Sequence, residues 1–147
     1  MMVLPAAAYV PPGTLRAALV YPHSASDYDE AAITRALAAV GLDHLRSFLD
    51  TTDSWERRLN EDEKQHLAFA RVLLQRPRWL VMDGALDKLE PALRRRIEAL
   101  PEELGTGLVN IGPDSPQSGF ITRRLRLVTD PNGATFRPAE HCVIPAA

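Results

Sequence analysis

The segment from Asn60 to Asp83 constrains the fold of this chain more than any other part of its sequence. Its first part, residues 60–75, carries apolar side chains at the spacing of an amphipathic helix with one buried stripe. Pro77 stops this helix, and Trp79-Leu-Val-Met then reads as a buried strand that enters Asp83. The apolar positions of the helix are Leu67, Phe69, Ala70, Leu73 and Leu74. A long helix that leads directly into a buried strand predicts an α/β fold.

Capping residues and apolar runs predict shorter elements on both sides of this segment. Towards the N-terminus we expect a strand at 2–5, a helix at 15–20 capped by Thr14, a helix from Asp27 or Asp29 to about Val40, and a short helix at 44–49. Residues 50–58 are expected to form a polar connection. Towards the C-terminus we expect a helix at 91–100, a strand at 107–111, and a hairpin of 124–128 and 134–137 around a turn at 130–133.

The composition is that of one modest globular domain. The 147 residues are 46% hydrophobic and 24% charged, a balance typical of folded chains. The net charge of −2 argues against a nucleic-acid partner, and the single cysteine, Cys142, excludes an internal disulfide. The apolar start lacks a basic leader, and no segment is apolar over the roughly 18 to 20 residues that span a bilayer. We expect a cytoplasmic protein without direct membrane insertion.

Three blocks of the sequence resemble the ATP-binding domain of ABC transporters, in the order and at the intervals usual for that family. Residues 59–83 resemble the signature motif, its helix and the Walker B strand: Leu-Asn-Glu-Asp-Glu-Lys-Gln, then Leu-Ala-Phe-Ala-Arg, Arg-Pro and Trp-Leu-Val-Met-Asp. Residues 4–22 are similar to the Q-loop region of the bacterial peptide-uptake and peroxisomal fatty-acyl branch. Residues 108–112 resemble the strand that ends at the switch histidine.

The resemblance, which extends from Leu4 to Arg137, implies a partial P-loop NTPase core of the α/β class. This core would have a helical subdomain, a few short strands and a C-terminal hairpin. We expect one partial domain over 1–147, with the helical subdomain at about 14–76 and the Walker B and switch half with the hairpin at 77–137. The sequence contains no GxxxxGK(S/T) loop, whose backbone N–H groups and lysine hold phosphates, so the Walker A half is expected to be missing.

Most catalytic positions of the family carry residues that cannot perform its chemistry. By resemblance, Ala6 replaces the Q-loop glutamine, Gly84 replaces the general-base glutamate, and Pro113 replaces the switch histidine. Asp83 retains the Walker B aspartate, which is associated with Mg²⁺, and Glu90 retains a carboxylate at the D-loop position. We therefore expect no catalytic residue. Asp83 would be a vestigial metal position, and a strand-end hydrogen-bonding role explains it more simply.

The signature loop has become acidic. In the family its glycines bring backbone N–H groups to the γ-phosphate of an ATP held by the opposite subunit. The vestigial nucleotide-binding residues here are Asn60, Glu61, Asp62, Glu63, Lys64 and Gln65. One like-charge contact at about 4 Å costs roughly 4 kcal/mol at an effective dielectric near 20, and a helix end worth about half a charge cannot offset three of them. Asn60 and Glu63 instead suit a capping box.

Other conspicuous residues have structural explanations. Arg71 matches a family arginine, but on a helix it is equally a surface or ion-pairing residue. His66 is expected to face solvent. Trp55 and Trp79 are expected to pack, although Trp55, in a loop, is also consistent with a partner surface. The basic clusters at 94–96 and 123–124 are most simply solvated faces, with phosphate or lipid contact as the alternative.

These observations favour an ABC transporter ATP-binding-domain-like protein that does not hydrolyse ATP on its own. The family binds ATP and Mg²⁺ to drive transport, whereas we expect no cofactor for this chain alone. The alternative is a protein-interaction module that docks on a transporter membrane subunit, an intact ATPase subunit or a second copy, which would place it at the inner membrane through that partner. A half-site completed by a partner's Walker A loop, and a decayed or shortened gene product, are further alternatives.

Overall fold

The chain forms two compact units, Met1–Pro113 and Asp114–Ala147. The computed structural model describes residues 1–85, 89–112, 123, 125–128, 133 and 135–138. The α-helices are α1 (Leu15–Val20), α2 (Glu30–Ala39), α3 (Trp55–Arg58), α4 (Glu61–Gln75) and α5 (Pro91–Leu104), and 3₁₀ helices cover Ala25–Asp27 and Asp43–Phe48. The strands are β1 (Met2–Pro5), β2 (Gly13–Thr14), β3 (Thr52–Asp53), β4 (Trp79–Asp83), β5 (Gly107–Ile111), β6 (Leu125–Val128) and β7 (Thr135–Pro138). The predicted α/β class is confirmed, while the division at residues 76 and 77 stays a prediction.

A parallel sheet of three strands forms the frame of the first unit, in the order β1-β4-β5. Val3 pairs with Val81 and Val81 with Val109, while Pro5, Asp83 and Ile111 form the last row. In addition, β2 and β3 form a short antiparallel pair. In the second unit, β6 and β7 pair antiparallel as predicted, whereas the turn expected at 130–133 lies, except for Gly133, outside the described residues. The carboxyl ends of the three parallel strands therefore lie side by side.

Side-chain caps begin the helices where the sequence predicts them. The Thr14 hydroxyl accepts the Ala17 N–H at 3.1 Å at the start of α1, and the Asp29 carboxylate accepts the Ala32 N–H at the start of α2. Of the two caps considered for α2, Asp29 is the one used. Helix α4 ends at Arg76, whose φ of 43° lies in the left-handed region. Each cap satisfies a backbone group that a helix end would otherwise leave unpaired.

Two expectations about secondary structure are wrong. Helix α5 does not end at Leu100 but passes through Pro101 to the half-buried Leu104, and Gly105, at φ 65°, provides the C-terminal turn. Residues 50–58 are not only a connection, since they contain β3 and α3. The residues of α5 that are buried in its stripe are Leu93, Ile97 and Leu100. Pro101 removes one helical hydrogen bond, and the helix nevertheless continues for three further residues.

The core of the first unit lies between α4 and the shorter helices around it. In α4, Leu67, Phe69 and Ala70 are fully buried as predicted, whereas Leu73 and Leu74 are half-buried. The other fully buried large side chains include Leu15, Leu19, Ile33, Leu37 and Trp55. Because Trp55 lies inside this core, the alternative that it marks a partner surface is wrong. Trp79, expected to pack, is 55% exposed.

Candidate functional site

The carboxyl edge of the parallel sheet brings two of the altered catalytic positions together. Ala6 and Gly84 follow the paired residues Pro5 and Asp83. The Gly84 N–H donates to the Ile111 carbonyl at 2.8 Å, and a Cβ at position 84 would lie 3.5 Å from the Ala6 Cβ. Neither residue offers a side-chain donor or acceptor there. Pro113, the third altered position, lies outside the described residues.

Gln65, the last residue of the signature block, fastens α4 to this edge. Its Nε2 donates to the Ala6 carbonyl at 2.8 Å, across 59 positions of sequence. Its Oε1 is buried and accepts no hydrogen bond from the residues that the structure describes. The sequence identifies Gln65 as part of the signature block but gives no sign of this tether, because the partner is a backbone atom distant in the chain. The signature helix and the Q-loop position are thus in direct contact.

The first turn of α4 is closed by a capping box, as the sequence predicts. Asn60 Oδ1 accepts the Glu63 N–H at 2.8 Å, and a Glu63 carboxylate oxygen accepts the Asn60 N–H at 3.0 Å. The other Glu63 oxygen lies 3.0 Å from His44 Nε2. Reciprocal bonds of this kind satisfy two of the free donors of a helix start. Two backbone N–H groups that could face an anion are therefore already in use.

The positive charge of Lys64 is not available to an incoming anion, because it is paired with neighbouring acids. Its ammonium lies 2.9 Å from a Glu61 carboxylate oxygen and 3.0 Å from Glu56, and its side chain is nearly buried. Hydrogen bonds to Glu61, and then to Glu56, raise the pKa of Lys64 above its usual value. Asp62 is exposed in the same turn. The surface of this loop is accordingly acidic.

His66 is half-buried, so the expectation that it faces solvent is wrong. Its Nδ1 lies 2.7 Å from the Val40 carbonyl, and because a carbonyl only accepts, the imidazole donates through this nitrogen. Its Nε2 lies 3.5 Å from a carboxylate oxygen of Glu90. Glu90, at the D-loop position, immediately precedes α5, and its side chain makes no capping hydrogen bond. His66 is therefore hydrogen-bonded to the end of α2, and its ring lies beside the start of α5.

Arg71 is neither a surface residue nor part of an ion pair in the described structure. It is 6% exposed, and its guanidinium donates to the Ala18 and Tyr9 carbonyls, each at 2.9 Å. Burial lowers its pKa to about 10, so the group stays charged at neutral pH. Both acceptors are backbone atoms of segments far away in sequence, and residue type alone does not reveal them. Arg71 holds α1 and the segment after β1 against α4.

Asp83 stands at the edge of the sheet with its side chain exposed. Among the residues that the structure describes, no three His, Cys, Asp or Glu side chains lie close enough together to hold a metal ion. Asp83 is also the only acid in the last sheet row, beside Pro5 and Ile111. A single carboxylate is a weak ligand set for Mg²⁺, which in such sites is shared with substrate phosphates.

The order of strands, the helix that enters β4 and the acid at its end define an ABC-type ATPase fold. The chain's homologues are ABC transporter ATP-binding proteins, so the family resemblance is confirmed. An uncharacterized ABC transporter ATP-binding protein of Haemophilus influenzae is 33% identical over 121 residues, which cover 81% of this chain and 20% of that protein. A second such protein, from Synechocystis, is 30% identical over 115 residues, covering 76% of this chain and 17% of that protein.

More distant comparisons agree. The lysosomal cobalamin transporter ABCD4 of Homo sapiens is 26% identical over 137 residues, covering 86% of this chain and 23% of that protein. The solved structure of a bacterial Atm1-family ABC exporter with ATP bound matches the fold with a TM-score of 0.59 at 19% identity, covering 76% of this chain and 20% of that one. No family model matches the chain. The chain spans about a fifth of the length of the curated relatives it matches. In its described part, no helix is both long and apolar enough to cross a membrane.

Proposed function

We propose that this chain is an ABC ATPase-like protein that does not hydrolyse ATP by itself. The observation that carries the proposal is the first turn of α4, where two further acids adjoin a capping box that itself contains Glu63. Asn60 and Glu63 use each other's backbone N–H groups, while Glu61 and Asp62 add negative charge. A phosphate at this position would need free N–H groups and a positive field. Here the Asn60 and Glu63 N–H groups are already bonded, and the surrounding carboxylates make the field negative.

The sheet edge supports the same proposal. Hydrolysis requires a group that orients or deprotonates the attacking water. At the adjacent positions Ala6 and Gly84 there is only a methyl group and a hydrogen. Asp83 remains, but a carboxylate that would bind Mg²⁺ cannot also replace the missing base. The half-site alternative, in which a partner supplies a Walker A loop, meets the same acidic turn.

The pure chain is expected to show no Mg²⁺-dependent ATP turnover above buffer, because no base faces the site. Asp83→Ala should leave that background unchanged. The measurement is phosphate release at saturating ATP, together with calorimetric titration of ATP with and without Mg²⁺. Turnover that disappears in Asp83→Ala would defeat the proposal. If calorimetry detects ATP binding without turnover, the proposal would hold for hydrolysis but not for binding.

Restoring the glutamate is not expected to restore activity. Gly84 has a φ of 63°, a left-handed conformation that costs a residue with a side chain about 1 kcal/mol or more. Gly84→Glu should therefore lower the free energy of unfolding by about 1 kcal/mol and give no ATP turnover. Gly105→Glu, at φ 65° and away from the sheet edge, is the matched control and should cost a similar amount. Denaturant unfolding and phosphate release test both variants. Turnover in Gly84→Glu alone would contradict the expectation.

A protein-interaction module is the second candidate function, and one specific observation favours it. Parallel sheets are normally covered on both faces, yet Val3, Val109 and Ile111 are 53%, 40% and 53% exposed on one face of this sheet. Exposed apolar surface of this kind marks sites where proteins bind one another. Such a chain would act by docking on a partner, and any location at a membrane would follow from that partner.

A further inference from the structure

One face of the β1-β4-β5 sheet, which we name the open sheet face, is apolar and uncovered. Its central row is formed by Val3, Val81 and Val109, which pair in register across the three strands. Trp79 lies at the amino end of this face, with its ring over Gly107, where an added Cβ would come within 2.5 Å of the ring. Side chains alternate between the faces of a strand, so Leu80 and Met82 point to the opposite face, where both are fully buried.

The topology explains why this face is uncovered. The chain moves from β1 to β4 and on to β5 in one direction across the sheet. Crossovers between parallel strands are almost always right-handed, so two successive crossovers in the same direction pass over the same face. The connections of these strands therefore cover only the side of Leu80 and Met82. The other side needs a cover that the described connections do not provide.

The dimensions of the open sheet face match those of a single α-helix. Three strands span two spacings of about 4.8 Å, and the rows from Trp79 to Asp83 span about 13 Å, so the face measures about 10 by 13 Å. A single α-helix, about 10 Å in diameter, matches its width. Helices are also the normal cover of parallel sheets.

The charge at one end of the face adds a requirement. Asp83 is the only ionisable side chain in the rows of this face, and it is exposed at the carboxyl end beside Ile111. A helix that lies along the strands would bring one of its terminal turns to this carboxylate. A lysine or arginine there would be favoured over an acid by the attraction of opposite charges.

We infer that the open sheet face is a docking site for one amphipathic helix of a partner protein, with a basic residue that meets Asp83. The inference rests on the second candidate function and assigns its surface and the kind of partner. The contact is that of a helix with a parallel sheet: an apolar stripe lies on the valine row and beside Trp79. It requires nothing of the acidic turn at α4.

The test uses the full chain and a fluorescent synthetic helix of about 14 residues, roughly 21 Å long and held helical by a side-chain lactam. One probe carries a lysine in its last turn and a second carries a glutamate at the same position. Fluorescence anisotropy should show that the wild-type chain binds the lysine probe about threefold more tightly than the glutamate probe. Val109→Lys should weaken binding at least tenfold, because it places a charge in an apolar contact.

Two controls keep the result specific. Tyr9, which is 55% exposed outside the sheet, provides the matched variant Tyr9→Lys, which should stay within twofold of wild type. Asp83→Lys should reverse the preference between the two probes. Circular dichroism and denaturant unfolding check that each variant is folded. If Val109→Lys does not fold, Trp79→Lys replaces it at the other end of the face.

The outcomes separate the inference from the functions on which it depends. No binding of either probe by the wild-type chain overturns the inference. Binding that Val109→Lys and Asp83→Lys leave unchanged also overturns it, although a docking role elsewhere would stand. A doubled mass in light scattering that Val109→Lys abolishes would assign the face to a second copy instead. None of these results bears on ATP turnover.

Discussion

Replacing Trp55 with alanine is expected to lower the free energy of unfolding by about 4 kcal/mol, the largest single effect we predict. Trp55 is fully buried, and its indole N–H donates to the Thr51 carbonyl at 3.1 Å. The Arg58 guanidinium lies 4.7 Å from the ring centroids of both Trp55 and Phe48. Truncation removes this packing, leaves a cavity and removes the indole hydrogen bond to Thr51. Denaturant unfolding followed by circular dichroism measures the loss.

The chain has its own control for this experiment. Trp79 is the other of its two tryptophans and is 55% exposed, so Trp79→Ala should cost only about 1 kcal/mol. The fluorescence of Trp79→Phe should report a buried indole, and that of Trp55→Phe an exposed one. Equal losses of stability in the two alanine variants would contradict the assignment of Trp55 to the core.

Replacing Arg71 with alanine is expected to lower the free energy of unfolding by about 3 kcal/mol. Its guanidinium donates to the Ala18 and Tyr9 carbonyls, and hydrogen bonds from a charged donor are worth about 1.5 to 3 kcal/mol each. The energetic cost of burying the charge, which lowers its pKa to about 10, offsets part of that gain. Denaturant unfolding at neutral pH measures the difference.

Arg71→Lys is the informative control. A lysine ammonium is a single point donor and cannot span both carbonyls as the guanidinium does, so about half of the loss should remain. Arg35→Ala, at an exposed position of α2, should change stability by less than about 0.5 kcal/mol. If Arg71→Ala behaves like Arg35→Ala, then Arg71 does not join α4 to α1 and to the segment that contains Tyr9.

Local rules in the sequence predict much of the fold. Thr14, Asp29 and Asn60 cap the helices that follow them, and the apolar runs at 79–83 and 107–111 form the expected strands. The rules fail where tertiary packing decides the structure. Helix α5, anchored by the buried Leu93, Ile97 and Leu100, continues past Pro101 to Leu104, although the proline itself predicts an earlier end.

The candidate site also has one part that the sequence predicts and another that it does not. The capping box of Asn60 and Glu63 follows from spacing alone, since its partners are three residues apart. The tether from Gln65 to Ala6 and the link from His66 to Val40 join segments that only the folded chain brings together. Their acceptors are backbone carbonyls, which every residue has, so residue type alone does not predict these partners.

The capping box has one more consequence. A helix start that binds an anion can owe part of its order to that ligand. Here a carboxylate of the chain itself, that of Glu63, occupies the amide that a ligand could have used. The turn is complete as soon as the polypeptide folds. The hydrogen bonds of this capping box therefore form without any ligand.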